Sequence, residues 1–275
     1  MANIKLIVTD LDGTFLMDQE NPHPDNRAAV LAARERGIKV CGCTARNWAC
    51  SKRIANLGGM EDAFIINGGG GIVQAKTGEA LLVNRFPKGK AKAVMETLLP
   101  YIQKLNCVDT LVTATTEALI NENKQRILDH PELFDPLARE YFYLCKTEQE
   151  LVEKLEEGCQ GIMCHVPAEN RALVKEKLEQ LGGLSLTGAG GPSLHVMVAG
   201  ATKGAGVRFL MEYYGLKQEE ILAIGDNEND ISMMEAAGRK IAVGNATKDL
   251  KSVVDVVVAP CDAGGFAQAV YAYAL

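Results

Sequence analysis

The sequence predicts an α/β protein, a doubly wound parallel sheet that carries a second, inserted α/β domain. Three observations lead there. Short apolar strands alternate with segments of helical period at both ends of the chain, from Lys5 to Asn67 and again from Val207 to Val258. Polar residues collect after the strands, at the carboxyl ends where open parallel sheets bind ligands. The long stretch between the two halves has helices and strands of its own, bounded by Pro87-Lys88-Gly89 and by Gly188 to Pro192.

Lys5 to Thr9 is a β-rich apolar run that ends in the turn-forming Asp10-Leu11-Asp12-Gly13-Thr14. From Asp25 to Arg36, Ala28, Ala29, Leu31 and Ala32 recur at helical spacing, and Gly37 supplies the stop. Ile38 to Cys43 is the second strand and ends in Thr44-Ala45-Arg46; a helix to about Asn56 and a third strand, Ala63 to Asn67, follow. Ile72 to Gln74 and Ala80 to Val83, around Lys76-Thr77-Gly78, read as a hairpin. Near the C-terminus, Val207 to Tyr214 is helical, Ile221 to Gly225 a strand, Ser232 to Ala237 a helix, and Ile241 to Val243 and Val256 to Val258 short strands of the same sheet. The insertion, residues 86–191, has helical segments at Lys90 to Tyr101, Thr147 to Glu157 and Ala168 to Leu181. Its apolar runs at Leu111 to Thr115, Gly161 to Val166 and Leu184 to Thr187 form a separate sheet.

With 275 residues, 47% of them hydrophobic, the chain can bury a sizeable core; 29 Lys and Arg against 35 Asp and Glu leave a net charge of −6. That acidic balance, without a basic cluster, excludes nucleic acid as an expected partner. No window approaches the roughly 18 apolar residues of a membrane span. Met1 leads straight into the first strand without the features of a signal peptide, so the expected location is cytoplasmic, with no membrane partner. Cysteines such as Cys41 and Cys43 lie in apolar strands and read as buried thiols without zinc spacing. Gly68 to Gly71 suggests a dinucleotide loop, but that pattern requires glycine where Val73 or Gln74 stands. Oligomeric state is not legible.

The polar residues after the strands converge on one site: Asp10 and Asp12 after the first, Thr44 after the second, Asn67 after the third, Asp226 and Asp230 after Ile221 to Gly225. Carboxylates gathered this closely repel one another and would not persist without a cation between them. An all-oxygen donor set of this kind suits Mg²⁺.

Asp10-Leu11-Asp12-Gly13-Thr14-Phe15-Leu16 resembles the first motif of the haloacid dehalogenase-like hydrolases, and Gly225-Asp226-Asn227-Glu228-Asn229-Asp230 resembles the fourth. Thr44 stands in the place of the second motif and Lys203, in Thr202-Lys203-Gly204, in that of the third. The insertion, together with Asn67-Gly68-Gly69, resembles the Cof-type phosphatases, which carry an α/β cap there. The resemblance implies a catalytic core at residues 1–85 and 192–275 and a cap at 86–191 that sets substrate specificity. It also implies a Mg²⁺-dependent phosphatase acting on a small phosphorylated metabolite through an aspartyl-phosphate.

In that scheme Asp10 is the nucleophile, and Asp12 protonates the leaving group and then takes a proton from water. Asp10, Asp12 through its backbone carbonyl, and Asp226 hold the metal. Asp230 joins this group either as a ligand or by orienting Lys203 or a metal-bound water, and it equally suits the cap of the helix beginning near Ile231. Thr44, the amides of Leu11 and Ala45, Lys203 and Asn229 hold the phosphoryl oxygens, although Thr44 also suits a helix N-cap. Arg46 either reaches a second anionic group on the substrate or makes a surface salt bridge, and with Trp48 is placed near the cap entrance. Asn67 either contacts substrate or closes its turn. Ala45 and His195 depart from the family pattern, which usually has glycine and an acidic residue there; His195 either faces the substrate or is a hydrogen-bonded core group.

Two other readings share these residues. A phosphotransferase, such as a sugar phosphate mutase, differs by keeping water from the intermediate. A phospho-accepting receiver module also groups carboxylates, Mg²⁺, Thr and Lys, but lacks a counterpart of Asp12 and the insertion.

Overall fold

Two strands buried on both faces, β1 (Leu6–Thr9) and β12 (Ile221–Gly225), pair in parallel at the centre of an eight-stranded sheet, with Thr9 opposite Ile224. Runs such as Leu-Ile-Val-Thr and Ile-Leu-Ala-Ile suit that place, since a central parallel strand shows no face to water. The computed structural model describes residues 3–18, 20–101, 104–109, 117–119, 142–143, 159–188 and 193–275. They fall into two compact units, one of Met1–Leu81 with Thr202–Leu275, the other of Leu82–Ala201. No helix among the described residues is long and apolar enough to cross a membrane.

In the first unit the chain steps outward from β1 through β2 (Lys39–Cys43) and β3 (Ala63–Ile66), all parallel. It turns back in antiparallel β4 (Gly71–Gln74) and reaches the edge at β5 (Ala80–Val83). When the chain re-enters this sheet it does so on the other side of β1, as β12, β13 (Arg239–Ala242) and β14 (Val256–Val257). Strand order therefore reverses between β1 and β12, and a ligand site is expected in the crevice at their carboxyl ends.

The helices begin where their caps dictate. Proline opens α1 (Pro24–Glu35), and the Asn47 side chain accepts from Cys50 N at 2.8 Å to start α2 (Trp48–Gly58). Thr202 accepts from Ala205 N at 3.1 Å and so sets Lys203 as the first residue of α5 (Lys203–Tyr213). Short α6 (Ile231–Ala236) and α7 (Lys248–Lys251) and the C-terminal α8 (Gly265–Tyr273) complete this unit. Trp48 is buried, its ring centroid 5.6 Å from that of Phe64 on β3, because the first turn of α2 packs inward.

The second unit has a six-stranded sheet in the order β10 (Leu184–Gly188), β11 (Ser193–Val198), β9 (Gly161–His165), β6 (Lys104–Asp109), β7 (Glu117–Leu119), β8 (Phe142–Tyr143). Neighbouring strands are antiparallel except β7 and β8. Helices α3 (Lys90–Leu98) and α4 (Arg171–Leu181) bring Val94, Leu98, Val174 and Leu178 into one core with Ile162 and Val196. The sequence reading placed residues 192–275 in the first unit. The structure moves the boundary, since Ser193–Val198 is hydrogen-bonded on both sides within the second unit's sheet. The expected strand Leu111 to Thr115 and helix Thr147 to Glu157 lie outside the described residues.

Candidate active site

The site is built at the carboxyl ends of β1, β2, β3 and β12, all in the first unit. Asp10 N donates to Ile224 O at 2.9 Å, which extends the β1–β12 pairing by one residue and brings the Asp10 carboxylate beside the loop that carries Asp226. Beyond it the chain turns tightly: Phe15 N and Leu16 N donate to Leu11 O at 3.0 and 2.8 Å. Gly13 is needed in this turn, with φ +79°, and a Cβ there would lie 2.7 Å from Asp226 Oδ2.

Oxygen atoms of Asp10, Asp226 and Asp230 all lie within 4.8 Å of one another. Lys203 is inserted among them, its Nζ 2.5 Å from Asp10 Oδ1 and 2.6 Å from Asp230 Oδ1, with 2% of its side chain exposed. Burial works against this ammonium, but the charges of Asp10 and Asp230 outweigh it and hold the Lys203 pKa well above the usual lysine range. Burial pushes the Asp10 carboxyl well above its ordinary value; Lys203 opposes the rise, and Asp230, Asp226 and Asp12 add to it. For Asp226, burial followed by the Asp230 charge raises the pKa to about 6. Such an environment resists additional negative charge and favours a cation.

The remaining oxygens of these carboxylates are fixed by neighbours. Thr14 Oγ1 donates to Asp226 Oδ1 at 2.9 Å. Asp230 Oδ2 accepts from Asp226 N and Asn227 N at 3.0 and 3.1 Å, and a side chain on Gly225 would occupy that space, its Cβ 2.6 Å from Asp230 Oδ2. Of the alternatives for Asp230, the structure sets aside only the cap, since its side chain makes no capping bond to α6; its Oδ1 accepts from Lys203 and its Oδ2 from the Asp226 loop.

Asp12 stands apart from these three carboxylates. Its side chain, to which the sequence gives the proton-transfer role while its backbone carbonyl goes to the metal, lies outside the three-carboxylate cluster, nearly half exposed and gripped in bidentate fashion by Arg46, whose Nε is 2.8 Å from Asp12 Oδ2 and whose Nη2 contacts Oδ1. The physical reason is the turn itself, which sends successive side chains of Asp10 and Asp12 toward different partners. Arg46 thus makes the salt bridge that was one of its two expected uses. Thr44 is fully buried and does not cap α2, a role filled by Asn47; its Oγ1 accepts from Arg46 N at 3.1 Å. Ala45, between them, and Leu11 lie on neighbouring turns after the parallel strands β2 and β1.

The turn after β3 is tied to the one after β2, with Asn67 N donating to Arg46 O and Gly68 N to Thr44 O, both at 2.9 Å. Asn67 is buried and has φ +50°, a conformation few non-glycine residues adopt. Gly69 permits close backbone approach: with φ +108°, its Cβ would lie 2.3 Å from Thr202 O. These glycines therefore serve packing of the β3 turn against the start of α5. Asn229, in the 3₁₀ turn Glu228–Asp230, has a buried Oδ1 without a hydrogen-bond partner among the described residues, as suits a polar ligand at this place. His195 is buried on β11 in the second unit. Sequence reasoning did not single out Thr14 for the contact it makes, nor Asn245, which follows β13 and donates to Gly13 O at 2.7 Å; applying the strand-end rule to β13 would have found the latter.

Residues 7–270 match the family described as haloacid dehalogenase-like hydrolase. A putative phosphatase of Haemophilus influenzae is 40% identical over 36% of this chain and 37% of that protein. The chain likewise spans only 46% of another curated relative, the chloroplastic endoribonuclease YBEY of Arabidopsis thaliana, at 26% identity over 98% of this chain. The 5-amino-6-(5-phospho-D-ribitylamino)uracil phosphatase YwtE of Bacillus subtilis aligns over 96% of both chains at 28% identity. Among solved structures, a haloacid dehalogenase-like hydrolase from B. subtilis superposes with a TM-score of 0.82 at 23% identity, covering 98% of this chain and 100% of that one, a likeness of fold. With the family match running from β1 to α8, this protein belongs to the haloacid dehalogenase-like hydrolases.

Proposed function

We propose that this hydrolase is a Mg²⁺-dependent phosphatase that cleaves small phosphomonoesters through an aspartyl-phosphate on Asp10. The observation that carries the reading is the Asp10 carboxylate, buried at the switch point and grouped with Asp226 and Asp230 around Lys203. The residues fit a cation of this kind: the donors are all oxygen, Gly13 leaves room beside Asp226 Oδ2, and three carboxylates share one charged lysine. Asp10 and Asp226 would hold Mg²⁺, which when bound neutralises charge between the nucleophile and the phosphoryl group.

Asp10 attacks phosphorus with one carboxylate oxygen, forming the O–P bond as the P–O bond to the alcohol breaks. Asp12 gives a proton to the departing alkoxide and then accepts one from the water that attacks the aspartyl-phosphate, which releases phosphate and restores Asp10. Arg46, whose Nε lies 2.8 Å from Asp12 Oδ2, orients that side chain. Lys203, kept charged by Asp10 and Asp230, and Thr44, with the Leu11 and Ala45 amides and Asn229, hold the phosphoryl oxygens.

The second unit serves as the cap that selects the rest of the substrate, and all the groups assigned to chemistry lie outside it. The name of the B. subtilis relative supports a small phosphorylated metabolite as substrate. Phosphate release from an aryl phosphate, assayed with Mg²⁺ and after chelation, tests the reading: activity should vanish with the metal and with Asp10→Asn. Undiminished turnover in excess chelator would overturn it.

A further inference from the structure

Three turns meet at the acidic site, and a single exposed side chain ties them together. Asn245 lies between two backbone hydrogen bonds that fasten its own turn to the end of β12, Val243 N to Gly225 O at 3.1 Å and Thr247 N to Asp226 O at 2.8 Å. From there its Nδ2 donates to Gly13 O at 2.7 Å, and its Oδ1 accepts from Cys261 N at 2.8 Å. The β1 turn is thereby pinned to the turn after β13, which is itself pinned around Asp226. Thr14, on the same β1 turn, closes the loop by donating to Asp226 Oδ1 at 2.9 Å, which turns Oδ2 toward Gly13.

We infer that Asn245 and Thr14 are positioning residues that hold the Asp12–Gly13 turn and the Asp226 carboxylate in register for a divalent cation. Gly13, at φ +79° and without a Cβ, has no side chain to restrain the orientation of its peptides, so the bond to its carbonyl oxygen supplies that restraint. The hydroxyl of Thr14 restrains the carboxylate by the same logic: partners of a metal ligand fix its orientation, and their loss typically weakens metal affinity about 10- to 100-fold. Because Asn245 is exposed, truncating it opens no cavity, and its effect should fall on the site more than on the fold.

The inference rests on the proposed cation dependence, and the experiment separates the two. The melting temperature of the full chain, measured without substrate over a range of Mg²⁺ concentrations, yields a dissociation constant for the metal. Asn245→Ala should raise that constant about 10- to 100-fold, with little change in the metal-free melting temperature. Gln268→Ala is the control. It removes the bond from Ala259 N to Gln268 Oε1 and so loosens the loop on the Cys261 side, while Gly13 keeps its partner; it should bind Mg²⁺ like the wild type. Thr14→Val, which exchanges the hydroxyl for a methyl group and so removes the bond to Asp226, carries the same expectation for Mg²⁺ affinity as Asn245→Ala and decides the matter should the latter not fold. An affinity within twofold of wild type in the folded variants, or an equal loss in Gln268→Ala, overturns the inference. A wild-type chain that hydrolyses aryl phosphate equally well without Mg²⁺ overturns the functional reading, and this inference with it.

Discussion

Replacing Lys203 with methionine keeps most of the side chain's length and removes its charge. The ammonium lies 2.5 and 2.6 Å from oxygens of Asp10 and Asp230, with side-chain exposures of 2%, 8% and 0% for the three residues. At an effective dielectric constant of about 20, a pair at that distance attracts by roughly 6 kcal/mol, enough to offset much of the cost of desolvating the charges. Removing one member of a buried pair leaves the other uncompensated, typically at a cost of about 3–5 kcal/mol, and Lys203→Met should lose about that much stability at pH 8. The loss should shrink at lower pH. Burial already holds the Asp10 carboxyl above its ordinary range, and without Lys203 it rises further, so the folded variant takes up a proton that the unfolded chain does not hold. A carboxyl raised in this way contributes stability at low pH that is lost as pH climbs through its folded value. Urea unfolding at pH 5.5 and 8 in the presence of chelator, followed by the fluorescence of Trp48, measures this in the correct unit, because Trp48 is the chain's only tryptophan and packs on Phe64. A loss under about 1 kcal/mol at pH 8, or an equal loss at both pH values, would refute the account of Lys203 as the charge that makes the buried carboxylates tolerable.

Asp12→Ala should lower turnover of an aryl phosphate about 10²- to 10⁴-fold, and phosphorylated protein should accumulate because hydrolysis of the intermediate needs the base more than its formation does; mass spectrometry of quenched protein should place the label on Asp10. With the pKa of Asp226 raised to about 6, Mg²⁺ must displace a proton from it below that pH, so its dissociation constant should rise by at least about tenfold per pH unit below 6. In the metal-free protein the same group stabilises the fold fully below about pH 4 and loses that effect as pH rises through about 6, which thermal melts from pH 4 to 8 would show. Gly69→Ala, with φ +108° and a Cβ 2.3 Å from Thr202 O, should destabilise the fold by more than the roughly 1 kcal/mol expected of Gly37→Ala, where φ is +77° and nothing lies within 4 Å; chemical denaturation of the two variants compares them directly.

Much of this architecture is written in local pattern. The hairpin of β4 and β5 was anticipated from Lys76-Thr77-Gly78 between apolar runs, and α1 from its apolar spacing and Gly37. Both depend on interactions within a few residues. The C-terminal α8 was not anticipated, because its mostly apolar Gly-Phe-Ala-Gln-Ala-Val run has little polar face to reveal a period; it is held by packing against α1 and by the edge-on contact of Phe266 with Phe15, in the turn after β1, at 4.9 Å. Nor was β6, whose Lys-Leu-Asn-Cys-Val-Asp has modest strand propensity and is paired on both sides by β9 and β7.

The chemical types at the site, and their placement after strands, were legible because a parallel sheet puts the carboxyl ends of its strands on one edge whatever the intervening chain does. Residue order thus announced Asp10, Thr44, Asn67, Asp226 and Asp230 as neighbours, and Lys203 joined them through the family resemblance alone. Which partner each side chain takes was not legible. Asp10 and Asp12 are two residues apart, yet one is buried against Lys203 and the other grips Arg46 near the surface; Asp230 turned from a possible helix cap into the group that fixes Lys203 and the Asp226 loop. Such choices depend on turn geometry, on space left by Gly13, Gly225 and Gly69, and on contacts between residues as far apart as Gly13 and Asn245. Hydrogen bonds and charges act through distances of a few ångströms, and those distances exist only after the strands have been laid side by side.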